Sequence, residues 1–278
     1  MGFSTHPILI HAGFHKTGTT TIQKTLRSNR AALRPHAILA LRRDLEPLLH
    51  AARAYSAYGD PLSLAKFTMR AETFVAALPG LKKRGLILSS EELSGHLPGR
   101  GGIPDYRAAP VLMGELAAAF QRRYDTPDLT FVFTTRDSGS WLTSAYWEQV
   151  KSSNQSLSLA HYRAKFAAAA NFDTVLDTIA NTITPARLHH YALEETTTAQ
   201  LGPATPLLQH LRLPDSTLAA LTATKPANTR LPNDALETLL ALNRAHAEDS
   251  DARIAAKRAF LEQFHAAKEN DQPPPSSD

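Results

Sequence analysis

Apolar residues gather in five short runs, at Pro7–Ala12, Ala37–Leu41, Gly85–Ser89, Leu129–Thr134 and Leu188–Ala192. They are nearly continuous rather than alternating, as expected of strands buried on both faces. Between them lie segments of helical spacing, such as Ile22, Leu26 and Leu33. Strands alternating with helices predict an α/β fold, with a mostly parallel central sheet flanked by helices. Residues 45–80, rich in Ala with scattered aromatics, predict two helices forming an insertion or lid. Residues 95–110 (GHLPGRGGIPDYRAAP) predict a loop just past a strand end, where substrate loops commonly sit. After Leu193 the pattern is helical, with Leu236, Leu239 and Leu240 on one face. Neither an internal repeat nor an interdomain linker stands out. One domain over 1–268 is expected, followed by a polar, proline-rich tail at 269–278 that should be disordered.

Composition narrows the classes of function. Apolar residues make up 43% of the 278, enough for a sizeable core. Lys and Arg exceed Asp and Glu by only 30 to 26, which suits an anionic small ligand better than a nucleic-acid track. The chain has no cysteine, which excludes disulfides, thiolate metal sites and a cysteine nucleophile. The first apolar run is too short for a signal-peptide core, and no stretch approaches the length of a membrane span. A cytoplasmic protein without a membrane anchor is expected.

The densest signal is Ile8-Leu-Ile-His-Ala-Gly13-Phe-His-Lys16-Thr-Gly18-Thr-Thr-Thr-Ile-Gln23. A strand runs into a loop of small residues and then into an amphipathic helix. That order points backbone N–H groups and a helix N-terminus at one place, which suits a phosphate. The loop is close to the nucleoside-triphosphate P-loop, Gly-x-x-x-x-Gly-Lys-Ser/Thr. Gly13 and Gly18 keep that spacing, but Thr19 follows the second glycine, and the lysine is Lys16, inside the loop. The bland alternative is a strand–turn–helix with incidental Gly and Thr.

The wording His-x-Gly-x-x-Lys-Thr-Gly-Thr-Thr resembles the 5′-phosphosulfate-binding loop of the sulfotransferases, and in particular bacterial members related to the carbohydrate sulfotransferases. The resemblance implies a P-loop nucleoside-triphosphate-hydrolase-like α/β fold. It also implies 3′-phosphoadenosine-5′-phosphosulfate as donor, with Lys16, Thr17, Gly18, Thr19 and Thr20 holding the 5′-phosphosulfate. Thr21 stands where the cytosolic small-molecule members carry a tryptophan that packs on adenine. A second element agrees. The apolar run from Leu129 leads into Arg136-Asp-Ser-Gly-Ser-Trp-Leu-Thr-Ser144-Ala-Tyr146, and in the family an Arg at a strand end and a Ser eight positions later grip the donor's 3′-phosphate. A guanidinium and a hydroxyl so placed can converge on one phosphate. Alternatively, Arg136 pairs with Asp137 and Ser144 lies on a solvated face. The segment Lys225-Pro-Ala-Asn228-Thr-Arg230 resembles the family's late basic loop, giving Arg230 as a further donor-binding residue; a solvated basic turn is the other reading.

Sulfuryl transfer to a hydroxyl needs a base for the acceptor's proton and positive charge near the bridging oxygen. The run Gly85–Ser89 leads into Ser90-Glu91-Glu92, which puts carboxylates at the edge of the sheet where ligands bind in open α/β folds. Glu91 is the candidate base, with Glu92, His96 and His15 as contenders; helix capping is the structural alternative for Glu91. Lys16 would stabilise the leaving oxygen. No metal is expected. His189 and His190, for example, would point to opposite faces of a strand. The acceptor is expected to be a carbohydrate or another small hydroxyl or amine compound. Two other classes stay open: an ATP- and magnesium-dependent small-molecule or nucleotide kinase, and a non-catalytic nucleotide-binding regulatory protein.

Overall fold

The buried strand Ile8–His11 (β1) sits at the centre of a five-stranded parallel sheet, described from a computed structural model that covers residues 6–81, 83–224 and 231–270. The chain continues through α1 (Thr19–Ser28), α2 (Arg30–Leu33), β2 (Ala37–Leu41), α3 (Glu46–Tyr58), α4 (Pro61–Ala77) and β3 (Gly85–Ser89). Then follow α5 (Ala109–Arg123), β4 (Leu129–Thr135), α6 (Ser138–Ser152), α7 (Leu159–Lys165), α8 (Phe172–Thr182) and β5 (Arg187–Ala192). The remaining helices are α9 (Ala204–Gln209), α10 (Asp215–Ala220), α11 (Asn233–Ala245) and α12 (Ser250–Asn270).

The sheet order is β2-β3-β1-β4-β5, every pair parallel. This is the α/β architecture the strand–helix alternation predicts. The chain leaves β1 toward β2 and β3 on one side and crosses to β4 and β5 on the other. The carboxyl end of β1 is therefore a topological switch point, where such sheets open a crevice.

Period-two alternation divides the strands between two faces. Leu9, Leu39, Leu41, Ile87 and Val132 point to the face covered by Ile22 and Leu26 of α1 and by Leu201, Leu207, Leu208, Leu211 and Leu221. Each fully buried side chain of this kind contributes about 1.5–3 kcal/mol through apolar area removed from water. Ile8, Ile10, Leu86, Leu88, Phe131 and Phe133 face the other way and are equally buried. The region 45–80 forms two helices as expected, α3 and α4, which pack on each other while α4 packs on α5. One expectation is corrected. The last strand is an edge strand with exposed positions at Arg187, His189 and His190, because among the described residues β4 alone pairs with it. The stretch 95–110 follows the end of β3, with Leu97, Ile103 and Tyr106 buried.

Among the described residues, those in 1–142 and 166–227 form one compact unit and those in 143–165 and 228–278 another. Within the second, Lys257 closes the end of α6 by donating to Val150 O (2.7 Å), Ser153 O (2.6 Å) and Asn243 Oδ1 (2.9 Å). Leu236, Leu239 and Leu240 are buried on one face of α11, as their spacing predicts. The helix α12 runs through Asn270, so the expected tail begins within it, and 271–278 lie outside the described residues.

Candidate active site

The loop after β1 owes its shape to three left-handed residues, Gly13 (φ 42°), Lys16 (φ 67°) and Gly18 (φ 94°). A Cβ on Gly13 would lie 3.0 Å from Thr19 Oγ1 and 3.1 Å from His11 Nε2, so the tight approach itself requires glycine. At Gly18, the N-cap of α1, a Cβ would meet Leu193 Cδ1 at 2.7 Å. Lys16 has no such licence. A side-chain-bearing residue in that region carries about 1 kcal/mol or more of strain, which the surroundings must hold. They do so through several bonds. Trp141 Nε1 donates to His15 O (2.8 Å), Arg136 Nη1 donates to Lys16 O (3.2 Å), and the His15 amide donates to Tyr106 Oη (3.0 Å). Ser94 Oγ donates to Gly13 O (3.0 Å) from beneath.

The threonines divide by direction. Thr17 and Thr19 are buried, and their hydroxyls donate to Phe14 O at 2.6 and 3.4 Å, closing the loop internally. Thr20 is exposed at the start of α1, where Gly18 O accepts from Thr21 N (2.9 Å) and Ile22 N (3.2 Å) and the positive end of the helix faces the loop. The glycine-lined turn, the helix N-terminus and the lysine suit an oxyanion group of phosphate size. Where a triphosphate loop carries its lysine, this chain has Thr19, folded inward.

Arg136 follows the carboxyl end of β4, half-buried, and its bond to Lys16 O brings two predicted anchors together. Asp137 is otherwise engaged. Its Oδ1 accepts from Ser140 N (2.8 Å) as the cap of α6, which holds its carboxyl below the usual value. Ser144 is half-buried on α6 and belongs to the second unit. Arg230 lies outside the described residues.

The carboxylates after β3 have different surroundings. Glu92 is gripped by two guanidinium groups, Arg42 (3.3 Å) and Arg53. Glu91 accepts from the neutral amide of Gln23 on α1 (2.9 Å). Burial, with the charge of Glu92 adding to it, raises the Glu91 carboxyl above the ordinary value. Glu91 thus has the environment of a strengthened base, while Glu92 is committed to its two ion pairs. The cap of the turn Glu91–Ser94 is Ser90, whose hydroxyl accepts from Glu92 N (3.3 Å), so Glu91 itself is not that cap.

The histidine contenders are poorly placed as bases. Burial, then the charges of Arg100, Lys16 and Arg53, push His15 down to about 3, and its Nδ1 pairs with Tyr106 Oη (3.2 Å). His96 is lowered by burial and by Arg100 and Arg53. Among the described residues no group of three or more His, Asp or Glu could hold a metal ion. Gln23, Arg42, Arg53, Ser94, Tyr106 and Trp141 carry no motif, and sequence reading passes over them.

No family model matches this chain, and no curated protein does. Among solved structures it is similar to a sulfotransferase from Alicyclobacillus acidocaldarius, at 13% identity and a TM-score of 0.46 over 87% of this chain and 94% of that one. The case for the chemistry rests on the residues.

One prediction follows from His11, fully buried and lowered by that burial to about 4. The unfolded chain binds its proton below about pH 6.5, whereas the folded protein does so only near 4. Stability is therefore fully present above pH 7 and falls as pH drops from 6.5 toward 4. At pH 5 the loss from this one group is about 2 kcal/mol. Urea unfolding at pH 7 and pH 5 measures it, and His11→Leu should flatten the dependence. Equal slopes in wild type and variant would remove His11 as its source.

Proposed function

We propose that this protein is a sulfotransferase that moves the sulfuryl group of 3′-phosphoadenosine-5′-phosphosulfate to a hydroxyl of a carbohydrate or other small acceptor. The observation that carries the reading is Lys16. It is held in a strained left-handed turn at the centre of a glycine loop, and the Arg136 guanidinium bonds to its carbonyl. Strain kept at a loop that ends the central strand is best explained by what the loop binds. The inward-folded Thr19 in the usual lysine position further supports a phosphosulfate over a triphosphate.

When bound, the donor supplies an activated sulfuryl group on a bridging oxygen. Glu91 takes the proton of the acceptor hydroxyl as that oxygen forms its bond to sulfur. Lys16 meets the negative charge that collects on the phosphate oxygen as the old sulfur–oxygen bond breaks. Thr20 and the first turn of α1 orient the same group, and Arg136 serves the 3′-phosphate. The site makes no call on a metal, because a sulfuryl group carries less charge than a terminal phosphoryl group.

Arg136→Ala tests the assignment. The variant should lose about 2 kcal/mol of affinity for adenosine 3′,5′-bisphosphate and little for ADP, which lacks the 3′-phosphate. Equal losses with both nucleotides would place Arg136 in loop support alone.

A further inference from the structure

Three strand ends carry the proposed chemistry: β1 leads to the Lys16 loop, β3 to Glu91 and β4 to Arg136. One side chain joins all three. His11, the last residue of β1, places Nδ1 2.8 Å from Ser89 Oγ and Nε2 3.3 Å from Thr134 Oγ1. Ser89 is the last residue of β3, two before Glu91, and Thr134 lies two before Arg136. The parallel register pairs His11 with Ser89 on one side and Val132 on the other, so all three polar side chains share the sheet face on which α1 lies. The Nε2 atom also sits 3.1 Å from where a Cβ of Gly13 would be, directly against the loop's first turn. The backbone adds a fourth tie, since His11 O accepts from Ser90 N (3.1 Å).

A buried polar side chain needs a reason, because apolar residues would fill the same space at lower cost. Leu at this position would still pack against the sheet, but it would take from Ser89 Oγ its bond to the ring and from Thr134 Oγ1 one of its partners, the other being Tyr191. We infer that His11 is a positioning residue that locks the donor loop, Glu91 and Arg136 into one mutual arrangement through Ser89 and Thr134. The catalytic part of this inference rests on the proposed sulfotransferase reading; the mechanical part does not. The two ring nitrogens divide the labour: Nδ1 governs the Glu91 strand end and Nε2 the Arg136 strand end, whichever nitrogen carries the proton, since a hydroxyl can donate or accept.

Amide hydrogen exchange on the folded full-length protein tests this directly, followed segment by segment. In His11→Leu the segments 12–18, 89–92 and 134–137 should all exchange faster than in wild type, roughly five- to tenfold for the loss of about one hydrogen bond's worth of local stability at each. The single-tie variants Ser89→Ala and Thr134→Val keep the signal readable if His11→Leu does not fold. Ser89→Ala should accelerate 12–18 and 89–92 and spare 134–137, and Thr134→Val should do the reverse for the last two. In calorimetry, Thr134→Val should reduce the preference for adenosine 3′,5′-bisphosphate over ADP, and Ser89→Ala should leave it intact. A purely local packing role would lower the melting temperature of each variant with no such division between segments, and that outcome overturns the inference. If the segments divide as expected while wild type binds adenosine 3′,5′-bisphosphate no better than ADP, the arrangement stands and the donor assignment falls.

Discussion

Glu91→Gln should slow sulfate transfer by about 10²–10⁴ while leaving donor affinity unchanged. The variant keeps the size of the side chain and an oxygen that accepts from Gln23, so the turn after β3 should fold as before. What it loses is the capacity to take a proton at neutral pH. The wild-type rate should also fall as pH drops through the carboxyl's raised value, because burial makes Glu91 bind its proton at higher pH than an ordinary glutamate. In Glu91→Gln that dependence should disappear. Transfer of radiolabelled sulfate to a mixed panel of sugars, phenols and alcohols supplies the measurement, with circular dichroism to verify folding. Undiminished transfer by a folded variant would remove Glu91 from the reaction. Glu92→Gln is the natural comparison. It would break the pairing with Arg42 and Arg53, so it should cost stability more than rate.

Lys16→Ala carries the second large effect, and it acts on both binding and turnover. Alanine pays a left-handed backbone cost much as lysine does, so the change isolates the ammonium group. A charge-assisted contact is worth about 1.5–3 kcal/mol, which corresponds to a roughly ten- to hundredfold loss of donor affinity. The rate at saturating donor should fall as well, because the same charge meets the departing phosphate oxygen. Titration and saturation kinetics separate the two losses. A variant with wild-type affinity and rate would leave the loop as a structural turn.

The parts of this protein that could be read ahead of the structure are those whose physics is local. The central strands β1, β3 and β4 are buried on both faces, and so they appear as unbroken apolar runs. The loop after β1 is one contiguous segment, in which two glycines and the lysine are visible as spacing. Edge position is not local, which is why β5 looks like its neighbours until the pairing is known. The difference between Glu91 and Glu92 is invisible for the same reason. Adjacent in sequence, they are separated by Gln23 on α1 and by Arg42 and Arg53, residues that only the fold brings to them. Tyr106 lies within a Gly/Pro-rich stretch that reads simply as a loop, and only the fold shows that its ring packs on Phe14 (4.7 Å between centroids) and its hydroxyl holds the His15 amide. The role of His11 is hidden too, since Ser89 and Thr134 are 78 and 123 residues away along the chain.

The donor is the centre of this account, and one calorimetric titration addresses it. Purified wild-type protein is titrated with adenosine 3′,5′-bisphosphate, ADP and ATP in EDTA, and ATP is then repeated with magnesium. The account predicts that adenosine 3′,5′-bisphosphate binds without metal and more tightly than ADP by roughly the value of one charge-assisted phosphate contact, about 1.5–3 kcal/mol or ten- to hundredfold. Preference for ATP, dependent on magnesium, would contradict it and favour the kinase reading.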